Sequence, residues 1–260
     1  MDFGMPYLLE THSIEECCDL ARALGLQFVE LNANFPECLV ENLDPSMLHR
    51  LMRQYSIYFT LHAEEDCDPF CFNGAVRAAW LRSTRRALEL AAALDMPIVN
   101  IHFPHGIYMT LPDKRVYLYD ARAEVFQASL AEFRAMCEEA LQGTSTRIAI
   151  ENTDGWKPHE QNAITFLLES PVFGLNLDVG HSHGIGDADE PFFQQHEDRL
   201  IHMHGHDALR KKHHLALGDG EIDLAARFAW AKRANARVVL ETKTIAALRT
   251  SIERLPKFLA

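Results

Sequence analysis

From Arg147 to Asn152 the bulky Ile148 and Ile150 alternate with Ala149 and Glu151. Successive side chains on a strand point to opposite faces, so one face of this run is aliphatic and the other ends in a carboxylate. The same split recurs three times. Leu175 and Leu177 oppose Asn176 and Asp178, Ile201 and Met203 oppose His202 and His204, and Val238 and Leu240 oppose Val239 and Glu241. The aliphatic faces suit packing beneath helices, and the opposite faces carry polar chemistry at their last position.

The pattern extends along the chain as eight strand-then-helix units. Residues 3–9 read as the first strand, and Ser13 with Glu16 forms a capping box for a helix that Gly25 closes. Gln27–Leu31, Ile57–His62 and Pro97–His102 follow as strands, with helices from Asp44-Pro45 to about Tyr55, over about 74–94 and over about 121–141. Arg147–Glu151, Gly174–Asp178, Leu200–His204 and Arg237–Glu241 complete the strands. A helix of about 160–168, a short one near 191–197 and a last one over 245–258 are expected among them. Eight such units argue for parallel pairing and one closed (β/α)8 barrel over residues 1–260. Helix-to-strand connections are short and several strand-to-helix connections are long, which places a site at the mouth where the strands end.

A chain of 260 residues without a linker or low-complexity segment fits one large domain. It shows no apolar run near the ~20 residues of a membrane span and no secretory signal pattern, so a cytoplasmic protein is expected. A net charge of −12 argues against nucleic acid as a partner, since non-specific binding to phosphodiesters is driven by cations. The six cysteines form no CxxC pair, and inert thiols are the simpler reading, with Cys67 and Cys71 a weak redox alternative.

If the strands close into a barrel, Glu151, Asp178, His204 and Glu241 ring one mouth. Singly, such residues often cap helices or satisfy local hydrogen bonds. Together, at the last inward positions of four consecutive strands, they would repel or desolvate one another without a cation. Three carboxylates and one imidazole suit Mn²⁺, Mg²⁺, Co²⁺ or Zn²⁺, with the oxygen ligands leaning toward Mn²⁺ or Mg²⁺.

With IENT at Glu151, LDVGH at Asp178 and His181, HMHGHD at His204, HLALGDGEID from His214 to Asp223 and LET at Glu241, the chain resembles the xylose-isomerase-like barrel superfamily along essentially its whole length. That superfamily holds sugar isomerases and epimerases and the endonuclease IV enzymes. The resemblance implies that Glu151, Asp178, His204 and Glu241 coordinate a catalytic metal, that His181 contacts substrate, and that Arg210 binds substrate as in ketose 3-epimerases. Glu151 and Glu241 would then remove and return a proton through an enediolate of a small sugar, sugar phosphate or related polyhydroxy carbonyl compound.

The endonuclease branch, a zinc phosphodiesterase, is the alternative, alongside a lyase or dehydratase on the same barrel. It would use His62 and His102 at the ends of strands three and four as zinc ligands and His214 as a ligand of a third zinc. Lys212 stands where that branch carries an aspartate, a cation that would oppose a neighbouring zinc. In sugar-acting members His62 and His102 would line the substrate pocket instead. Glu30 and Asn32 face inward at the end of strand two, where contact with substrate and a structural role are both open. The segment 103–119 reads as a lid or as packing over the mouth, and Glu64, Glu65, Asp66 and Asp68 read as a solvated loop. Lys243 can hold a phosphate or stand exposed, and a homo-oligomer is left open.

Overall fold

In the computed structural model, which describes residues 1–259, eight strands pair in parallel and close into a barrel. They are β1 (Phe3–Pro6), β2 (Phe28–Asn32), β3 (Tyr58–His62), β4 (Ile98–His102), β7 (Arg147–Glu151), β8 (Phe173–Asp178), β9 (Leu200–Gly205) and β12 (Arg237–Leu240). Around the barrel they run β1-β12-β9-β8-β7-β4-β3-β2. Two antiparallel hairpins stand outside it: β5 (Tyr108–Thr110) with β6 (Arg115–Tyr117), and β10 (Asp207–Leu209) with β11 (Lys212–Leu215).

The surrounding helices are α1 (Ile14–Ala23), α2 (Pro45–Tyr55), α3 (Gly74–Ala93), α5 (Ala123–Ala140), α6 (Pro158–Leu168), α9 (Leu224–Ala234) and α10 (Ile245–Arg254), with short α4 (Leu118–Ala121), α7 (Val179–Gly184) and α8 (Glu190–Gln195) between them. Their caps follow from local chemistry. Ser13 accepts the Glu16 N–H at 3.1 Å and Asp44 accepts that of Ser46 at 2.9 Å, each satisfying a backbone donor that helical geometry leaves unpaired. The Glu16 carboxylate returns to the N–H of His12, one residue earlier than a capping box expects. The last helix stops at Arg254 and tightens into a 3-10 turn over Leu255–Phe258, since Pro256 has no N–H to extend it.

Alternation sorts the side chains into two shells. Val29, Leu31, Phe59, Leu61, Ile148, Ile150, Leu175, Leu177, Met203 and Leu240 all lie in the main core with helix residues such as Leu51, Leu88, Leu130 and Leu167. Each buried aliphatic side chain contributes about 1.5–3 kcal/mol relative to exposure. Ile201 departs from the expected pattern. The β8/β9 register shifts between Leu175 and Asn176, which pair with Leu200 and His202, and Ile201 packs with Ile98 and Ala149 apart from the main core. An extra residue on one strand breaks the alternation locally.

The segment 103–119, expected as a lid or packing loop, contains the β5–β6 hairpin and α4. Asp68 is not a solvated loop residue. Its carboxylate accepts the Tyr119 hydroxyl at 2.6 Å and the Phe70 N–H at 3.1 Å, tying the loop after β3 to this segment. All six cysteines are free, and four of them, Cys17, Cys18, Cys38 and Cys137, are buried. Among the described residues no helix is long and apolar enough to cross a membrane.

Candidate metal centre

Parallel register brings the strand ends together. Asp178 pairs with His204 across β8 and β9, and His102 pairs with Glu151 across β4 and β7. Glu241 follows the last residue of β12, and its N–H donates to the Gly205 carbonyl at 3.1 Å, continuing the ladder one step. One ligand atom from each of Glu151, Asp178, His204 and Glu241 lies within 4.8 Å of the other three. His204 Nδ1 is 3.2 Å from Glu151 Oε1 and 3.2 Å from Glu241 Oε2.

The chain fixes these groups from behind. Glu151 Oε2 accepts from the side-chain amides of Asn100 and of Asn176, the latter at 3.1 Å, and Asn176 also donates to Asn100 at 3.0 Å. Asp178 caps α7 by accepting the His181 N–H at 2.7 Å, while His206 Nε2 stands 3.1 Å from both of its oxygens. Gly180 is required beside that pair. A Cβ there would fall 1.9 Å from the His206 ring, so any side chain would displace the imidazole that holds Asp178.

A second buried carboxylate organises the neighbouring loop. Asp207 accepts backbone N–H groups from Ala208, Gly218, Gly220 and Ile222 at 2.9 to 3.1 Å. A Cβ on Gly220 would meet the Ala208 carbonyl oxygen at 2.2 Å, which accounts for the glycine at this turn. Asn100, Asn176, His206 and Asp207 were not among the residues singled out from sequence. The first two share the inward parity of the strand-end ligands, a signal the sequence did contain. The roles of His206 and Asp207 depend on loop geometry that periodicity does not encode.

Charge balance at the site is internal. Burial alone would raise the carboxyl groups of Glu151 and Glu241, but His204, aided by His102 on the first and Lys243 on the second, holds both well below the usual carboxylate range. Burial opposes a charge on Asp178 in the same way, and His206 and His181 hold it low. Burial would depress His204, yet Glu151, Glu241 and Glu30 carry it well above an ordinary imidazole. His62 is buried as well and is lifted to about 9, mainly by Glu151, whereas burial pushes His214 down to about 3 and leaves it neutral.

A divalent cation fits this set. Glu241 Oε2 and His204 Nδ1, which face each other across the cluster, are buried without a hydrogen-bond partner, an arrangement that polar atoms rarely tolerate. Three carboxylates and one imidazole around one point match the donors such ions prefer.

Other residues expected at the site take distinct places. His62 and His102, at the ends of β3 and β4, approach Glu151 Oε2 at 3.5 and 3.6 Å and form a second donor group with it. His181 lies on α7 with its Nδ1 3.9 Å from both Glu151 and Asp178. His214 on β11 stands with Nδ1 3.8 Å from Glu241 Oε2, and joins His181 and His213 in a third donor group. Arg210 is different. It is exposed in the β10–β11 turn, and its backbone N–H donates to Glu221 at 2.8 Å, with no ion pair linking its guanidinium to the cluster among the described residues. Lys243 Nζ contacts Glu241 Oε1 at 2.7 Å at the rim of a mouth cavity lined also by Tyr7, Glu30, Asn32, Phe35 and His62.

The sequence profile of the family described as Xylose isomerase-like TIM barrel matches residues 18–258. An uncharacterised protein of Methanocaldococcus jannaschii is 25% identical over 195 residues, which cover 70% of this chain and 63% of that protein. The chain thus spans less than two thirds of that relative's length. Among solved structures, a D-tagatose 3-epimerase-like protein superposes with a TM-score of 0.79 at 22% identity, covering 100% of this chain and 97% of the other. The 3-keto-D-glucoside 4-epimerase of E. coli gives 0.74 at 16% identity over 99% and 98%, and D-psicose 3-epimerase of Clostridium cellulolyticum H10 gives 0.76 at 13% over 99% and 98%. Identities this low carry the fold. The profile match extends over nearly all eight barrel strands, and the chain belongs to the xylose isomerase-like TIM barrel family.

Proposed function

We propose that the protein is a metal-dependent epimerase or isomerase of a small sugar, sugar phosphate or related polyhydroxy carbonyl compound. The observation that carries this reading is the placement of two carboxylates on opposite flanks of one donor cluster. Glu151 comes from β7 and Glu241 from the end of β12, with β8 and β9 between them. A bound divalent cation supplies Lewis acidity there, lowering the cost of negative charge on substrate oxygens.

The protein's own groups divide the remaining work. Glu241 Oε2, buried and unpartnered, is placed to take the proton from the carbon next to the carbonyl. Glu151, held by Asn100 and Asn176, delivers a proton taken up from solvent on the other flank, Glu241 gives its own proton to solvent before the next turnover, and delivery to the opposite face inverts that carbon. Return to the adjacent carbon from the same flank gives isomerisation instead. His62, His102 and His181 surround the cluster and can donate to substrate hydroxyls, and the carbon chain fits toward Tyr7 and Phe35 in the mouth cavity. Structural likeness to proteins described as sugar epimerases supports the choice of substrate class.

The test is a panel of free and phosphorylated ketoses incubated with metal-loaded protein in D2O and followed by NMR. One ketose is expected to convert to its epimer or isomer with deuterium appearing at the carbon that gives up its proton. Conversion without deuterium would point away from the two-carboxylate route, and no conversion across the panel would reject the substrate class.

One observation favours a second reading. His62, His102 and Glu151 form one three-donor group, and His181, His213 and His214 form another, both adjacent to the four-donor cluster. Lys212 does not ligate in such an arrangement, but His213 beside it turns toward His181, with ring centroids 5.0 Å apart. Histidine and carboxylate donors are the ligands zinc takes in hydrolytic sites, and three adjoining groups of them are what a trinuclear zinc phosphodiesterase would need. Its signature would be cleavage of DNA at an abasic site, which the ketose enzyme lacks.

A further inference from the structure

Glu30 lies deep in the barrel, 2% exposed, on a strand that contributes nothing to the four-donor cluster. Its carboxylate reaches across the interior to β9. Oε2 accepts from the Thr60 hydroxyl at 3.0 Å and contacts His202 Nε2 at 2.8 Å, while Oε1 stands 2.8 Å from His204 Nε2. The contact to His204 is close but bent away from the ring N–H axis, so it acts as an ionic contact more than as a straight hydrogen bond. The other nitrogen of the same ring, Nδ1, faces Glu151 and Glu241.

A neutral imidazole carries one proton, and the nitrogen without it offers the lone pair. A carboxylate beside Nε2 draws the proton there and leaves Nδ1 bare toward the cluster. Carboxylates behind metal-binding histidines fix the tautomer and raise ligand basicity in this way. Glu30, His202 and His204 also converge closely enough to form a donor group of their own. Both oxygens, however, already meet imidazole nitrogens at 2.8 Å, a hydrogen-bonding separation that leaves no space for a cation between them.

We infer that Glu30 is a positioning residue, which sets His204 with Nδ1 toward the metal and Nε2 protonated, and that Thr60 and His202 hold Glu30 for that task. The inference rests on the reading of the four-donor cluster as a metal site. Sequence parity placed Glu30 inward and left substrate contact open. The geometry gives it a partner in the protein instead.

The experiment measures Zn²⁺ affinity of the full chain by competition with a colorimetric chelator at neutral pH, in wild type, Glu30→Gln and Thr60→Val. Glu30→Gln is expected to weaken Zn²⁺ binding by about 10- to 100-fold with its circular dichroism unchanged, because the neutral amide no longer supplies the charge that holds the proton at Nε2 and raises the basicity of Nδ1. Thr60→Val, which only loosens Glu30, should shift affinity in the same direction by less. Nitrogen-15 NMR of the zinc-loaded wild type adds a readout that a purely structural role does not move, and it stands even if Glu30→Gln does not fold. His204 is expected to show Nδ1 bound to metal and Nε2 protonated. The reverse assignment, or equal affinity in wild type and Glu30→Gln, overturns the role of Glu30 alone. Failure of the wild type to bind Zn²⁺ overturns the metal-site reading itself, and this role with it.

Discussion

Replacing Glu241 by Gln is expected to lower kcat on the converted ketose by about 10²- to 10⁴-fold, the usual contribution of a positioned general base. The substitution preserves shape. It removes the proton acceptor at Oε2, an atom that makes no hydrogen bond within the site. It also removes one negative charge from the ligand set, so the assay is run with excess metal to separate weakened binding from lost chemistry. The barrel should stay folded, because Glu241 lies just past the end of β12 and its Oε1 partner, Lys243, is 55% exposed and can be solvated. Measured kcat and melting temperature together check the prediction. A variant that stays within a few-fold of wild-type turnover rules out Glu241 as a proton-transfer group.

Replacing His204 by Ala should have the larger effect on the molecule as a whole. The imidazole is completely buried and stands between Glu30 on one side and Glu151 and Glu241 on the other. Without it three buried carboxylates lose their shared counter-charge, and removing one partner from a buried ionic network costs about 3–5 kcal/mol. Urea denaturation of the metal-free proteins should show a loss of that size, and the variant, once offered metal, should retain none through gel filtration. Unchanged stability would mean that the carboxylates are neutralised by other groups, and the account of the site's charge balance would be wrong.

The sequence carried much of this architecture because the relevant signals are local. The alternation in RIAIE, LNLD and HMH assigns strands and faces at once, and Asp44-Pro45 and Ser13 mark helix starts through hydrogen bonds made within one turn. A parallel barrel then converts the last inward position of consecutive strands into neighbours, which is why the separated Glu151, Asp178, His204 and Glu241 could be read as one group. Features governed by contacts between distant segments were less legible. The bulge that turns Ile201 against Ile98 arises from the register of two strands, and no property of Ile201 announces it. The β10–β11 hairpin is organised by Asp207 accepting N–H groups from up to fifteen residues away, and it places Arg210 in an exposed turn. His213 and His206 follow the same rule. Their environments are created by the loop that brings β11 beside α7, so their spacing in HMHGHD and KKHH could not specify which histidine faces which carboxylate.

Elemental analysis of metal per chain, on protein purified without chelators, tests the central claim most directly. The four-donor site predicts about one equivalent of Mn, Mg, Co or Zn per chain. Two or three equivalents of zinc would contradict a single-metal sugar enzyme and favour phosphodiester hydrolysis through the adjoining histidine groups. A chain that neither carries nor takes up a divalent metal would contradict the site altogether.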